Sequence, residues 1–413
     1  MSDYNKKHRN KADEVAEELA NKYIAAMEKG EIPWRKPWRT NGVVRNGSTN
    51  RIYRGINRMM LEFICADREY TDPRFYTYYE IQKHFKSEIE KNNYKHDEWK
   101  LVDAKGMGVT VLYFSYYNKE TKKTISDSEY KVLLSTMDDE WIKKNITVFT
   151  KTSKVFNAKH IEGLEPLPPV IQSEVSVDTI QNDFLNNLIK NMNVKFSASK
   201  DSTRAFYSPL EDSVTVPHKD KFDSYAAFLE TALHELSHAT GHEDRLNRSM
   251  LGFFGDEDYA KEELRADIGS NMIMKELYPN GISTSLDENH LAYIQSWIKN
   301  LKDKPKELKD AIIDAQKILD YVEEKGEIKK YLQLSEMYEK IKSSVYERLG
   351  VFQDENNLDN TEWFELEECV ENVYESLEEN ELLSNKDDSV ILDEIDEEIA
   401  KQFEISKSSQ YSI

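Results

Sequence analysis

The chain has 413 residues, 39% of them hydrophobic and 32% charged, and a net charge of −21 at neutral pH. Its length exceeds one ordinary core and points to two domains plus extensions, while the lack of any run of roughly 18 apolar residues excludes a membrane-spanning helix. Twenty acidic against three basic residues between Val351 and Ile413 carry −17 of the charge, so the rest of the chain is near balance and still able to meet a polyanion.

The opening MSDYNKKHRNKADE is polar and has no apolar core of a secretion signal. Only two cysteines occur, Cys65 and Cys369, without metal-ligand spacing. Together these predict a reducing, cytoplasmic setting with no disulfide framework. Residues 11–29 read as an amphipathic helix with Val15, Leu19, Tyr23, Ile24 and Met27 on one side, stopped by Gly30. Pro33, Pro37 and the Gly and Asn residues after them forbid a long helix next. Short helices around 57–67 and 76–84 follow, then strands at 108–117 and 146–156, which makes an α+β domain. The stretch GLEPLPPV reads as a linker, with a boundary near 165. Beyond it come a helix at 175–192, short strands near 193–198, 204–208 and 212–217, and a long helix at 222–240 ended by Gly241. Helices at 257–277 and 289–323, the latter broken near Pro305, complete the pattern. The predicted organisation is therefore 1–165, 166–322 and an acidic, partly helical extension over 323–413.

Chemistry concentrates in HELSHATGHEDRLNR, residues 234–248. On a helix, His234 and His238 share one face, and Glu235 lies beside them, the minimal equipment of a zinc-activated water. A third ligand and partners for the ring N–H groups are still required. The next helix offers YAKEELRAD, where Glu263 and Asp267 share a face, so that Glu263 can reach the ion while Asp267 accepts the ring N–H of a ligating histidine. This order resembles the gluzincin metallopeptidases; Gly241 and His242 sit at the wrong offsets for the metzincin pattern. His242 and Glu262 stand as rival third ligands. Glu235 is the candidate general base, Tyr207 and Tyr259 are alternative donors to an oxyanion, and 205–217 could offer a strand edge to an extended peptide. Arg245 and Arg248 read as ties between the loop and nearby carboxylates.

Near the start, residues 32–61 hold seven basic residues and no acid. Trp34 and Trp38 alternate with Arg35, Lys36 and Arg39, and Tyr53, Arg54 and Arg58 continue the mixture. Aromatic faces that stack bases, interleaved with cations that neutralise phosphates, suit single-stranded DNA. Tryptophans that follow prolines are equally often core staples, and composition leaves both open.

The motifs IPWRKPW, NRIYRGIN, DPRFYTY, KGMGVTVLYF and VFN, then AFYSPLED, HELSHATGHEDRLNR, YAKEELRAD and YIQSWIKNL, resemble in order the ArdC-type antirestriction family of plasmids and phages over about residues 15–322. That resemblance implies an N-terminal single-stranded DNA-binding module and a zincin-type metallopeptidase domain. It further implies zinc on His234, His238 and Glu263, with manganese or nickel as other occupants, and protection of incoming DNA from host restriction. A host restriction or regulatory protein would be the substrate; the alternative is a non-enzymatic shield for DNA with a structural metal. Phe75 and Asp267 depart conservatively from the pattern, 85–107 reads as an insertion, and the acidic extension has no counterpart in it. That extension is open to three readings: a solvated tail, a partner surface, or a mimic of DNA charge.

Overall fold

The structure is a computed structural model that describes residues 11–35, 40, 42–83, 100–167, 178–248, 256–278, 288–356, 366–379 and 388–410. Lys36, Trp38, Arg39, most of the expected insertion and the linker prolines Pro168 and Pro169 lie outside the described residues. The chain divides into two compact units, one of Met1–Ile171 with Asn193–Val322, the other of Gln172–Met192 with Glu323–Ile413.

In the first unit the helix Lys11–Met27 buries the face its spacing predicts, including Val15, Leu19, Tyr23 and Met27. Gly30, at φ 80°, ends it in the left-handed conformation that glycine adopts at little steric cost. Strands β1 (Arg45–Asn46), β2 (Arg74–Thr77), β4 (Val109–Asn118), β5 (Lys123–Ile125) and β6 (Ile146–Asn157) form one sheet in the order β1-β2-β6-β4-β5. Its spine is the antiparallel β4–β6 pair, in register from Val109↔Val155 to Asn118↔Ile146. β3 (Lys100–Leu101) and β7 (Ile161–Glu162) make a small separate ladder.

β2 occupies the start of what periodicity assigned to a helix at 76–84; the chain turns helical at Tyr78. Two helices escaped the sequence reading, Asp127–Thr136 and Asp139–Asn145. Both had a legible start signal. Ser126 and Glu129 form a reciprocal capping box, and the Asp138 side chain accepts from the Trp141 N–H.

A second sheet joins β8 (Lys195–Ser199), β10 (Ser213–Pro217) and β9 (Phe206–Ser208) in the order β8-β10-β9, with β10 parallel to β8 and antiparallel to β9. The helix Tyr225–Ala239 packs against β10 and β9, and the helix Glu257–Leu277 packs on that helix. The next helix, Glu288–Asp303, lies against Glu257–Leu277 and also against the N-terminal helix Lys11–Met27. Its Trp297 is 1% exposed and donates to the Ala260 carbonyl at 3.1 Å. Residues from both sides of the expected boundary near 165 thus share one compact unit.

The second unit gathers Asp178–Met192, which the sequence placed with the strands and helices that follow it up to 322, with Ile328–Asn356, Leu366–Glu379 and Asp388–Gln410. Phe184 meets Tyr331 edge-on, and Ile341, Val345, Val373, Ile395 and Ile399 are buried. The acidic segment therefore has an apolar core of its own rather than being solvated on every side. Among the described residues no helix is long and apolar enough to cross a membrane, and Cys65 and Cys369 are free and buried.

Trp297 fills the junction between the N-terminal helix and the helix that carries Glu263, so Trp297→Ala should cost about 3–5 kcal/mol. Urea unfolding followed by circular dichroism checks this; a loss under about 1 kcal/mol, the size of a surface substitution, would contradict the packing.

Candidate metal centre

His234 and His238 lie in the last two turns of the helix Tyr225–Ala239, whose start is capped by Ser224 accepting from Ala227 N–H. Phe228, Leu229, Ala232, Leu233 and Leu236 bury its apolar face, which leaves the two imidazoles on the side turned to the helix Glu257–Leu277. Their Nε2 atoms are 3.2 Å apart. Glu263 closes the group: its Oε2 lies 3.5 Å from His234 Nε2 and its Oε1 lies 3.4 Å from His238 Nε2. One donor atom from each of the three residues falls within 4.8 Å of the others.

The opposite ring nitrogens face carboxylates. Asp267 Oδ1 is 3.8 Å from His234 Nδ1, and Glu262 Oε1 is 3.4 Å from His238 Nδ1. Two imidazole nitrogens, a glutamate oxygen and carboxylates behind both rings are the donor set of a zincin-type divalent-metal site, and the residues fit such an ion. Glu262 stands behind His238 and is not among the three converging donors. His242 is outside the group, where its Nδ1 accepts from the Asp244 backbone N–H at 3.3 Å. Adjacent residues on a helix point about 100° apart, which is how Glu262 and Glu263 serve opposite sides of one imidazole.

Electrostatics follow the geometry. Burial disfavours protonation of both imidazoles, yet Glu263 overrides it and holds His234 above, and His238 well above, the ordinary imidazole range. Burial likewise opposes ionisation of Glu263, but the facing histidines, His238 first, hold it far below the usual carboxylate range. Glu262 is lowered against its burial by His238 and then Arg248.

The loop after the histidine helix is laced as expected. Arg248 donates to Glu262 Oε1 at 2.6 Å, to the Ser237 carbonyl at 2.8 Å and to Thr240 Oγ1 at 2.7 Å. Arg245 pairs with Asp212 and donates to the Ala239 carbonyl at 2.6 Å. Tyr207 donates its hydroxyl proton to Asp212 at 2.8 Å, and burial and Asp212 push its pKa up. That proton is directed to Asp212 here; Tyr259 lies half-buried in the first turn of the glutamate helix.

The residues expected to bind DNA separate into two groups. Trp34, Arg35 and Arg58 are 2%, 6% and 1% exposed, so they offer no face or charge to a strand. Arg58 is paired inside with Glu62 at 2.9 Å and Glu276 at 2.6 Å, and the i,i+4 spacing of Arg58 and Glu62 was the sequence signal for that. Trp34 and Arg35 point to Asp267. Tyr53 is half-buried, and Arg54 is exposed and paired with Asp320. Exposed aromatics that the sequence reading missed lie on the β4–β6 ribbon. Tyr113 faces Lys151 across the strands, with Phe149 diagonal to it on the same face; Tyr113 is 39% and Phe149 50% exposed.

Comparison with known proteins agrees with this layout. The family model for the N-terminal domain of anti-restriction factor ArdC matches residues 13–156, and a zincin-like metallopeptidase model matches residues 183–315. Two Escherichia coli proteins named DNA primase TraC are 34% and 33% identical over 74% of this chain, while the matches span only 20% and 27% of the TraC lengths. The Uncharacterized protein y4eC of Sinorhizobium fredii is 24% identical over 75% of this chain and 91% of its own. Solved structures of ArdC from plasmid R388, metal-free and Mn(II)-bound, match with a TM-score of 0.53 at 26% and 27% identity, covering 75% of this chain and 97% of theirs. The molecule is thus an ArdC N-terminal domain joined to a zincin-like domain, with a helical C-terminal region. It belongs to the ArdC-type antirestriction family.

A bound ion must displace protons from the two histidines, so affinity should fall as pH drops through their raised range, with protons released on binding. Isothermal titration of Zn2+ or Mn2+ in buffers of different ionisation heat checks this. Glu263→Ala should weaken binding at every pH; binding that ignores both pH and Glu263 would place the ion elsewhere.

Proposed function

We propose that the protein is a cytoplasmic antirestriction factor of a mobile element that holds a divalent metal on His234, His238 and Glu263 and uses it in peptide hydrolysis. The convergence of those three donors beside Glu235, 8% exposed on the same helix, carries this reading. A divalent ion held on His234, His238 and Glu263 would supply an acidified water and polarise the scissile carbonyl. Glu235 takes the proton of the attacking water at its carboxylate and returns it to the leaving amine nitrogen. β9 lies at the edge of its sheet and packs against the histidine helix, so an extended peptide can pair with its outer backbone groups and lie across the site. A host restriction or regulatory protein is the substrate class this role implies.

The DNA half of the proposal rests on the β4–β6 ribbon. Tyr113 and Phe149 supply stacking faces and Lys151 a neighbouring cation, the combination that binds single strands without reading sequence. This favours a strand laid along the sheet over one gripped by the buried Trp34 and Arg35. A protein that only shielded DNA would need this surface and not Glu235.

Plasmid transfer into restricting and non-restricting hosts separates the two. With folding and metal content first shown to match the parent, Glu235→Gln should lose protection in the restricting host alone; undiminished protection would overturn hydrolysis as part of the function. In anisotropy titrations with a labelled single-stranded oligonucleotide, Tyr113→Ala with Phe149→Ala should lose about 1–3 kcal/mol per stacked base. Unchanged affinity would place the DNA elsewhere.

A further inference from the structure

We propose that Trp34 and Arg35 are positioning residues of the metal centre: their turn clamps Asp267 and Glu230, each one helical turn from a metal-facing side chain, and so fixes His234 relative to Glu263. The proposal rests on the metal-centre reading above and adds to it two residues from the distant N-terminal segment.

The clamp is built at Asp267. Trp34 donates its indole N–H to Asp267 Oδ2 at 2.6 Å, across 233 positions of sequence. Arg35 donates through Nε to Asp267 Oδ1 at 3.0 Å and Oδ2 at 3.1 Å, and through Nη2 to Oδ1. Its Nη1 reaches over to Glu230 Oε1 at 2.7 Å. Glu230 is four residues before His234 on one helix, and Asp267 is four residues after Glu263 on the other. One planar guanidinium therefore bridges the two helices a single turn from the point where their donors converge. Because its fork is rigid, it sets a distance as well as supplying a charge.

The turn itself is held. Trp34 lies between Tyr23 and Trp297, with ring centroids 5.4 Å from each. Asp267 is 1% exposed, so its oxygens have no bulk water to accept from, and the direction of its carboxylate is decided by these donors. Oδ1, which Arg35 holds, is the atom that lies 3.8 Å from His234 Nδ1. Removing the clamp frees Asp267 to turn away, and His234 loses the carboxylate that faces its Nδ1. Arg248 does the same service at the other histidine through Glu262. The two arginines flank the donor group from opposite ends, one local in sequence and one remote.

The test uses the full chain, Zn2+ affinity by competition with a chromophoric chelator, and the visible spectrum of the Co2+-loaded protein as a probe of geometry at the ion. Trp34→Phe keeps the ring between Tyr23 and Trp297 and removes the N–H; Arg35→Lys keeps the charge and removes the fork. Each should bind Zn2+ about 10–100-fold more weakly and shift the Co2+ spectrum. Ile161→Val, a buried change in the separate cluster with Tyr76, Ile81 and Ala158, should alter neither. Should either clamp variant fail to fold, Glu230→Ala cuts the bridge at its less buried end and should move both readouts in the same direction. Parent-like affinity and spectrum in the folded variants would overturn the proposal, as would an equal loss in Ile161→Val. A parent chain that takes up neither Zn2+ nor Co2+ would overturn the metal-centre reading and the clamp with it.

Discussion

Four carboxylates crowd the junction of two helices, and their charge is the constraint on which the site depends. Glu235, Glu262, Glu263 and Asp267 are all less than a tenth exposed. Carboxylates taken from water are costly unless paired, and the guanidinium groups that touch them are those of Arg35 and Arg248. Arg35 is shared with Glu230 as well, so the carboxylates outnumber the guanidinium groups. Without an ion, the imidazoles of His234 and His238 are the groups that can take up the balancing protons, in keeping with the raised proton affinity of both. A divalent cation would supply positive charge without protons. A bound metal would therefore offset part of the excess negative charge, and the two arginines hold the flanking carboxylates in place.

That constraint also explains why an N-terminal segment is packed into the zincin-like half of the chain. A helix pair can bring His234, His238 and Glu263 together, but the ends of that pair must be tied. Arg248 is near enough in sequence to tie the His238 end. At the His234 end the tie comes from Trp34 and Arg35, seated by the helix Lys11–Met27 and Trp297. The tryptophan of a motif whose composition suits nucleic acid is buried against Trp297 and donates to Asp267 instead, and exposed aromatics lie on the β4–β6 ribbon.

Much of this was legible in sequence, for identifiable reasons. The long helices declared themselves through 3.6-residue periodicity, and Glu257–Leu277 falls on its predicted bounds. His234, His238, Glu263 and Asp267 could be placed because i,i+4 spacing puts side chains on one helical face whatever surrounds it. Tertiary partners could not be read. Whether Trp34 stacks on a base or on Trp297 depends on a contact across more than 200 residues that no local pattern encodes. Glu262 was read as a rival ligand because a one-residue change of register separates that role from the one it has. β2 was absorbed into a helix because its residues Arg74–Thr77 run straight into one. The acidic C-terminal segment hid its core because charge dominates its composition, while Val370, Val373, Leu377, Ile391 and Ile395 recur at helical spacing beneath it.

The central claim is that a divalent ion sits between two imidazoles and one carboxylate on this helix pair. X-ray absorption at the zinc edge of the Zn2+-loaded full chain tests it most directly. The account predicts first-shell nitrogen and oxygen scatterers at about 2.0–2.2 Å, with outer-shell scattering that fits two imidazole rings and no sulfur. A shell of oxygens alone, a sulfur contribution, or an imidazole count other than two would contradict it.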